Sequence, residues 1–150
     1  MTAVREQLLK SMDSVHLGVT QEDKQAGVDF YKHLFTTAPQ VRQYFKGAES
    51  YSADDVQASE RFHKLGRRLI LSLHFIASNA DHPETIKAYA REQAIFHHPF
   101  KMDPALWSAF LSIWLDFLTQ KGSADQATKD AWNNTWPIYA NELVAYDKTL

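Results

Sequence analysis

Apolar residues in this chain recur at helical spacing between well-marked helix starts, while the alternation that a half-buried strand needs is scarce. That pattern confines the chain to the packing of helix on helix. A first helix is expected to follow Thr2 and to carry Val4, Leu8, Leu9, Met12 and Val15. Thr20-Gln21-Glu22-Asp23 has the form of a capping box: the threonine oxygen can accept an exposed backbone N–H, and the aspartate can reach back. The helix it opens carries Gly27, Val28, Tyr31, Leu34 and Phe35 and stops near Pro39, after which the short turn PQVRQYF leads to Phe45. Ser52-Ala53-Asp54-Asp55 is a second capping box, and it predicts one long helix towards Asn79.

Proline marks the boundaries that follow. Pro83 stands where a first helical residue belongs, and Pro99 is expected to end that helix by disfavouring helical geometry at His98. Asp103-Pro104 reads as a cap followed by a helix start, opening a segment with Trp107, Phe110, Trp114 and Phe117 on one face and Leu111 and Leu118 beside them. Ser123-Ala124-Asp125-Gln126 is expected to open the last helix, which carries Trp132 and Trp136. Pro137 lies inside it and predicts a bend or two shorter helices.

The remaining numbers set bounds on function. With 150 residues and no repeat, linker or low-complexity tract, residues 1–150 read as a single all-α domain. Nine Phe, six Tyr and four Trp supply a large apolar interior. The net charge of -2 comes from interspersed acids and bases, which argues against a nucleic-acid partner. The absence of cysteine removes disulfides, thiol chemistry and Cys-based zinc or iron–sulfur sites. The start, MTAVREQLLK, lacks the apolar core of a signal peptide, and no stretch is long and apolar enough to span a membrane, so the cytoplasm is the default location.

Seven histidines raise the question of a metal, although most histidines in a helical protein are surface or satisfied core residues. There is no HExxH and no Glu-xx-His pair on facing helices, so zinc-protease and di-iron carboxylate chemistry find no support. Periodicity separates the adjacent pair. His97 shares a face with Ile86, Ala90 and Gln93, whereas His98 shares one with Lys87, Arg91 and Ala94. His97 is therefore the inward candidate and His98 the solvated one. In the last turn before Pro99, Nδ1–H of His97 could bond to a carbonyl one turn earlier and leave Nε2 free to ligate. On the residues alone, His97 is a candidate and no more.

Several strings together resemble one family. GVDFYKHLFTTAPQVRQYF is similar to the second and third helices of globins, with the Pro39-to-Phe45 spacing that sets an aromatic over the haem. ERFHKLGRRLILSLHFIA resembles the distal helix, and REQAIFHHPFKMDPALW the proximal helix, its corner and the start of the next helix. With YFKGAESYSADDV they are most similar to nematode globins, and they cover nearly the whole chain in the right order.

The resemblance implies a globin fold holding haem b, with His97 as proximal iron ligand and Phe45 as the haem-stacking aromatic. It places Tyr31 where nematode globins hydrogen-bond oxygen, and Leu65 where most globins carry a distal histidine. Leu69 would cap the ligand pocket, and Gly27 and Gly66 would be the small pair at which two helices cross. On the residues alone, Leu65 and Leu69 read as helix core on a face with Phe62 and Ile76, with Ser72 the polar exception. Phe45 reads as a loop aromatic, and Tyr31 as a core tyrosine reaching the surface. Arg68, His63 and Lys64 could reach the haem propionates or line a solvated face.

What the resemblance implies is reversible dioxygen binding for storage or transport, with CO and NO as further ligands, rather than an enzyme. The alternatives are nitric-oxide dioxygenation or peroxidase-like chemistry, and redox or gas sensing. The first needs a reductase, and the chain has no flavin or nicotinamide domain; a sensor usually needs an output domain. A homodimer and a partner reductase stay open.

Overall fold

Both capping boxes form. In the computed structural model, which describes residues 3–150, Thr20 Oγ1 accepts from Asp23 N at 3.1 Å, and Asp23 Oδ2 accepts from Thr20 N at 3.3 Å. Ser52 and Asp55 make the same reciprocal pair at 3.2 and 2.9 Å. The elements in chain order are α1 (Ala3–Ser11), α2 (Gln21–Thr37), a 3₁₀ turn (Pro39–Tyr44), α3 (Ala53–Ala58) and α4 (Glu60–Ser78). They continue with α5 (Pro83–His97), a second 3₁₀ turn (His98–Phe100), α6 (Ala105–Gln120) and α7 (Gln126–Asp147). No strand occurs among the described residues. Thr2, the expected start of the first helix, lies outside them.

The structure corrects several boundaries. The long helix expected from Ser52 is interrupted at Ser59, whose backbone is extended (φ −90°, ψ 116°). The hydroxyl of Ser59 accepts from Phe62 N at 3.4 Å, so the serine caps a new helix instead of continuing the old one. α1 ends at Ser11, and Met12 and Val15 are buried from the turn beyond it. Asp125, rather than Ser123, caps α7, accepting from Thr128 N at 2.9 Å. His98 keeps helical dihedrals (φ −49°, ψ −44°), because a tight 3₁₀ turn accommodates Pro99 where no N–H is required. Lys101, at φ 50°, then ends the turn.

α7 runs through Pro137 without dividing in two. Proline removes one backbone bond, but side chains on both sides of it are buried: Trp132, Thr135 and Trp136 before, Tyr139, Ala140 and Leu143 after. Burial on that scale outweighs the loss of one bond.

The chain forms two compact units. One consists of α1 with His74–Leu150. Within it, α7 packs against α1, α5 and α6 over a core of Leu8, Ile86, Trp114, Leu118, Trp132 and Leu143. The indole N–H of Trp132 donates to Ser11 Oγ at 3.0 Å, and that hydroxyl donates to the Leu8 carbonyl at 2.6 Å, so the buried polar atoms are satisfied in series. The other unit is Met12–Leu73, in which α2 packs against α3 and the Pro39–Tyr44 turn.

In that second unit, α2 and α4 touch backbone to backbone at Gly27 and Gly66. A Cβ built on Gly66 would lie 2.5 Å from the Gly27 carbonyl carbon, and one on Gly27 would lie 2.6 Å from Gly66 Cα. Backbone cannot yield as a flexible side chain does, so any larger residue must push the helices apart. Gly66→Ala is expected to cost more than about 2 kcal/mol in urea unfolding; an unchanged midpoint would remove the contact as a determinant of the fold. The α7 cap gives a pH signature. The Thr128 backbone and side chain hold the Asp125 carboxylate below the ordinary aspartate pKa, so its contribution is present above about pH 3.9 and is lost below it. The stability gap between the parent chain and Asp125→Ala should therefore be open near neutrality and close on acidification, as followed by circular dichroism.

Candidate functional site

The α5 face chosen by periodicity is the buried one. Ile86 and Ala90 are wholly buried, and Gln93 and His97 follow, half-buried; Ala94, which periodicity set on the His98 face, is wholly buried as well. Its Nδ1–H donates to the Gln93 carbonyl at 2.8 Å. The ring meets Trp107 edge to face at 5.0 Å and lies 5.1 Å from Phe96 and 6.0 Å from Phe100. Burial lowers the imidazole pKa, and the bond to Gln93 only partly offsets this. The side chain is thus a neutral imidazole with a fixed tautomer, whose Nε2 lone pair is available to a metal. No group of three or more His, Cys, Asp or Glu able to hold an ion occurs among the described residues. A lone imidazole suits a metal already held by another chelate, as in haem.

His98 is exposed, and its Nδ1 lies 2.8 Å from Asp147 Oδ1, tying the end of α5 to the end of α7. Sequence reasoning missed Phe96 and Phe100, the exposed aromatics that flank the His97 ring. It also missed Trp107, which was read only as part of an apolar helix face. The signal for the first two was their placement just before His97 and just after Pro99. Nothing local pointed to Trp107.

In the Met12–Leu73 unit, the structure brings Tyr31 and Phe45 together. The Tyr31 ring lies 5.7 Å from Phe45, 5.3 Å from Phe62 and 6.2 Å from Phe35, all edge to face. Burial raises the Tyr31 pKa far above neutrality, with the charge of Arg61 a small opposing effect, so the phenol keeps its proton. On α4 the buried residues are Phe62, Gly66, Ile70, Leu73, Ile76 and Ala77, so Phe62 and Ile76 of the predicted face are in the core. Leu65 and Leu69 flank them, only half-buried, on the edge of the predicted core face and not in it. They leave apolar surface in place for a ligand to cover.

Arg68 is exposed, and Ser72 Oγ donates to its backbone carbonyl at 3.1 Å. Lys64 is exposed as well. His63 is engaged at both nitrogens: Gln21 Nε2 donates to Nδ1 at 3.0 Å, and Nε2–H donates to the Gln57 carbonyl at 2.9 Å. No helix among the described residues is long and apolar enough to cross a membrane.

A family model described as Globin matches residues 28–143. The myoglobin of Nippostrongylus brasiliensis is 42% identical over 142 residues, which cover 95% of this chain and 92% of that protein. A relative from the same organism, named as the cuticular isoform of a globin, is 38% identical over 131 residues, covering 86% of this chain and 75% of that one. Among solved structures, the C. elegans globin-like protein GLB-1 superposes with a TM-score of 0.93 at 37% identity, covering 97% of this chain and 92% of the other.

Proposed function

The chain belongs to the globin family, and from that premise we propose that it holds haem b through His97 Nε2 and reversibly binds dioxygen. The observation that carries this reading is the bond from His97 Nδ1–H to the Gln93 carbonyl, which orients the ring and leaves Nε2 as the ligating nitrogen. The haem iron supplies reversible binding of a diatomic ligand, with CO and NO alongside dioxygen. Everything else is the work of side chains. Phe45 would stack on the macrocycle, and Leu65 and Leu69 would give the ligand side an apolar wall that excludes water. Arg68, an exposed cation on α4, would pair with a propionate. The globin match includes sequence from both compact units, which supports reading residues 1–150 as a single globin domain.

Tyr31 is the hydrogen-bond donor to the ligand. Its phenol stays protonated through burial, and a neutral O–H directed at a partly negative oxygen contributes about 1.5–3 kcal/mol, roughly ten- to a hundredfold in affinity. Leu65 can neither donate nor ligate, so discrimination rests on Tyr31. The role is storage or transport and not catalysis, in keeping with relatives named as myoglobins. The location proposed is cytoplasmic; because one relative is named as a cuticular isoform, cell fractionation is the measurement that decides it.

Haem reconstitution should give a Soret band with distinct deoxy, oxy and CO spectra, and His97→Ala should abolish the five-coordinate deoxy form. No Soret band in the parent chain would end the proposal. Tyr31→Phe should speed oxygen release about ten- to a hundredfold in stopped-flow measurements. An unchanged rate would remove Tyr31 from the mechanism while leaving haem binding intact.

A further inference from the structure

In the Met12–Leu73 unit, Arg61 stands in the first turn of α4, where a helix end favours negative charge and a cation gains nothing from the helix itself. Its side chain is exposed, and no carboxylate among the described residues forms an ion pair with it. What the guanidinium touches is the cluster around Tyr31. Nη1 donates to the Lys46 carbonyl at 2.7 Å, and Cζ lies over the Phe62 ring, 5.7 Å from its centroid.

Lys46 directly follows Phe45 and precedes Gly47, whose φ of 88° turns the chain away. The segment from there to α3 carries short turn bonds of its own: Ala48 N donates to the Phe45 carbonyl at 2.8 Å, and Tyr51 N to the Ala48 carbonyl at 3.1 Å. Two arginines tie its ends. Arg42 donates to the Tyr51 carbonyl at 3.0 Å, and Arg61 joins the Lys46 end to α4. Phe62, beneath the same guanidinium, lies 5.6 Å from Phe45 and 5.3 Å from Tyr31, and Phe45 lies 5.7 Å from Tyr31. One side chain therefore bears on the backbone that carries Phe45 and on the ring against which Phe45 and Tyr31 rest.

We propose that Arg61 is a positioning residue of the ligand site: by clamping the Lys46 carbonyl to α4 over Phe62, it holds Phe45 and Tyr31 in place and slows both oxygen release and haem loss. The proposal rests on haem ligation by His97 and on Tyr31 as the donor to bound oxygen. Phe45 is only half-buried, so core packing does not fix it by itself. If its turn drifts, the Tyr31 ring loses a wall and the phenol can swing away from the ligand. Guanidinium suits the task because it is planar. It can lie flat on a ring while an N–H at its edge donates in the plane, whereas an ammonium does one or the other. Its charge adds a second effect. Burial raises the Tyr31 pKa and Arg61 opposes the rise, which makes the phenol a better donor than burial alone would leave it.

The test uses haem-reconstituted protein, whose deoxy and CO spectra establish ligation by His97 independently. Arg61→Gln should speed oxygen release, and the transfer of haemin to an apoglobin scavenger, each about fivefold, the worth of one hydrogen bond. The C–O stretch of the CO complex should move to higher wavenumber, because a displaced Tyr31 sets less positive charge beside the ligand. In the haem-free chain, the same substitution should speed hydrogen exchange about fivefold at the amides of Ala48 and Tyr51. Arg61→Lys keeps the charge but not the plane, and should speed release and exchange by less than Arg61→Gln does. Lys148→Gln removes an exposed cation after α7 and should change none of the four readouts.

Unchanged release, haemin transfer and C–O stretch in Arg61→Gln would overturn the proposal and leave haem binding standing. A lower urea midpoint with an unmoved stretch would overturn it too, since that marks a residue that only stabilises the fold. Full parent behaviour in Arg61→Lys would overturn the clamp, because charge alone would then suffice. A parent chain that takes up no haem overturns both readings.

Discussion

At Gly27 and Gly66, α2 and α4 meet with no side chain between them, and the placing of Tyr31, Leu65 and Leu69 depends on that contact. The crossing point fixes where neighbouring residues stand. Tyr31 lies one turn along α2 from Gly27, which delivers its ring into the cluster of Phe35, Phe45 and Phe62. Leu65 precedes Gly66 on α4, and Leu69 follows almost a turn later. A bulkier pair at the crossing would displace all three together, because helices shift as rigid rows.

At His97, the decisive contact is local and polar. The side chain of a histidine on the last turn of a helix donates to the backbone carbonyl four residues back. The same bond orients the ring, selects the tautomer and leaves the other nitrogen exposed to a metal. Trp107, Phe96 and Phe100 then keep the ring from rotating. One hydrogen bond and three rings fix the direction of an otherwise common side chain.

The aromatic core is built from rings in direct contact. Trp132 and Trp114 are wholly buried, 5.9 Å apart, and account for packing alone. Trp107, Tyr139 and Tyr89 touch in turn, so rings from three helices distant in sequence pack against one another.

The local sequence determined whatever acts within about three helical turns. Both capping boxes and the proline start of α5 depend on residues at most three positions apart, and the choice of His97 over His98 as the inward residue on residues four to eleven positions apart; all are found as expected. The family pattern added Tyr31, Phe45 and Leu65, which no local rule singles out. Only tertiary structure decided the rest. Ser59 breaks the expected long helix, and α7 passes through Pro137, because burial elsewhere outweighs local propensity. Leu65 and Leu69 stand beside the buried stripe of α4 because the closeness of Gly66 to α2 turns a neighbouring face inward. Trp107 meets His97, and Tyr139 meets Tyr89, only after helices distant in sequence have packed, and hydrophobic periodicity carries no information about which rings will touch.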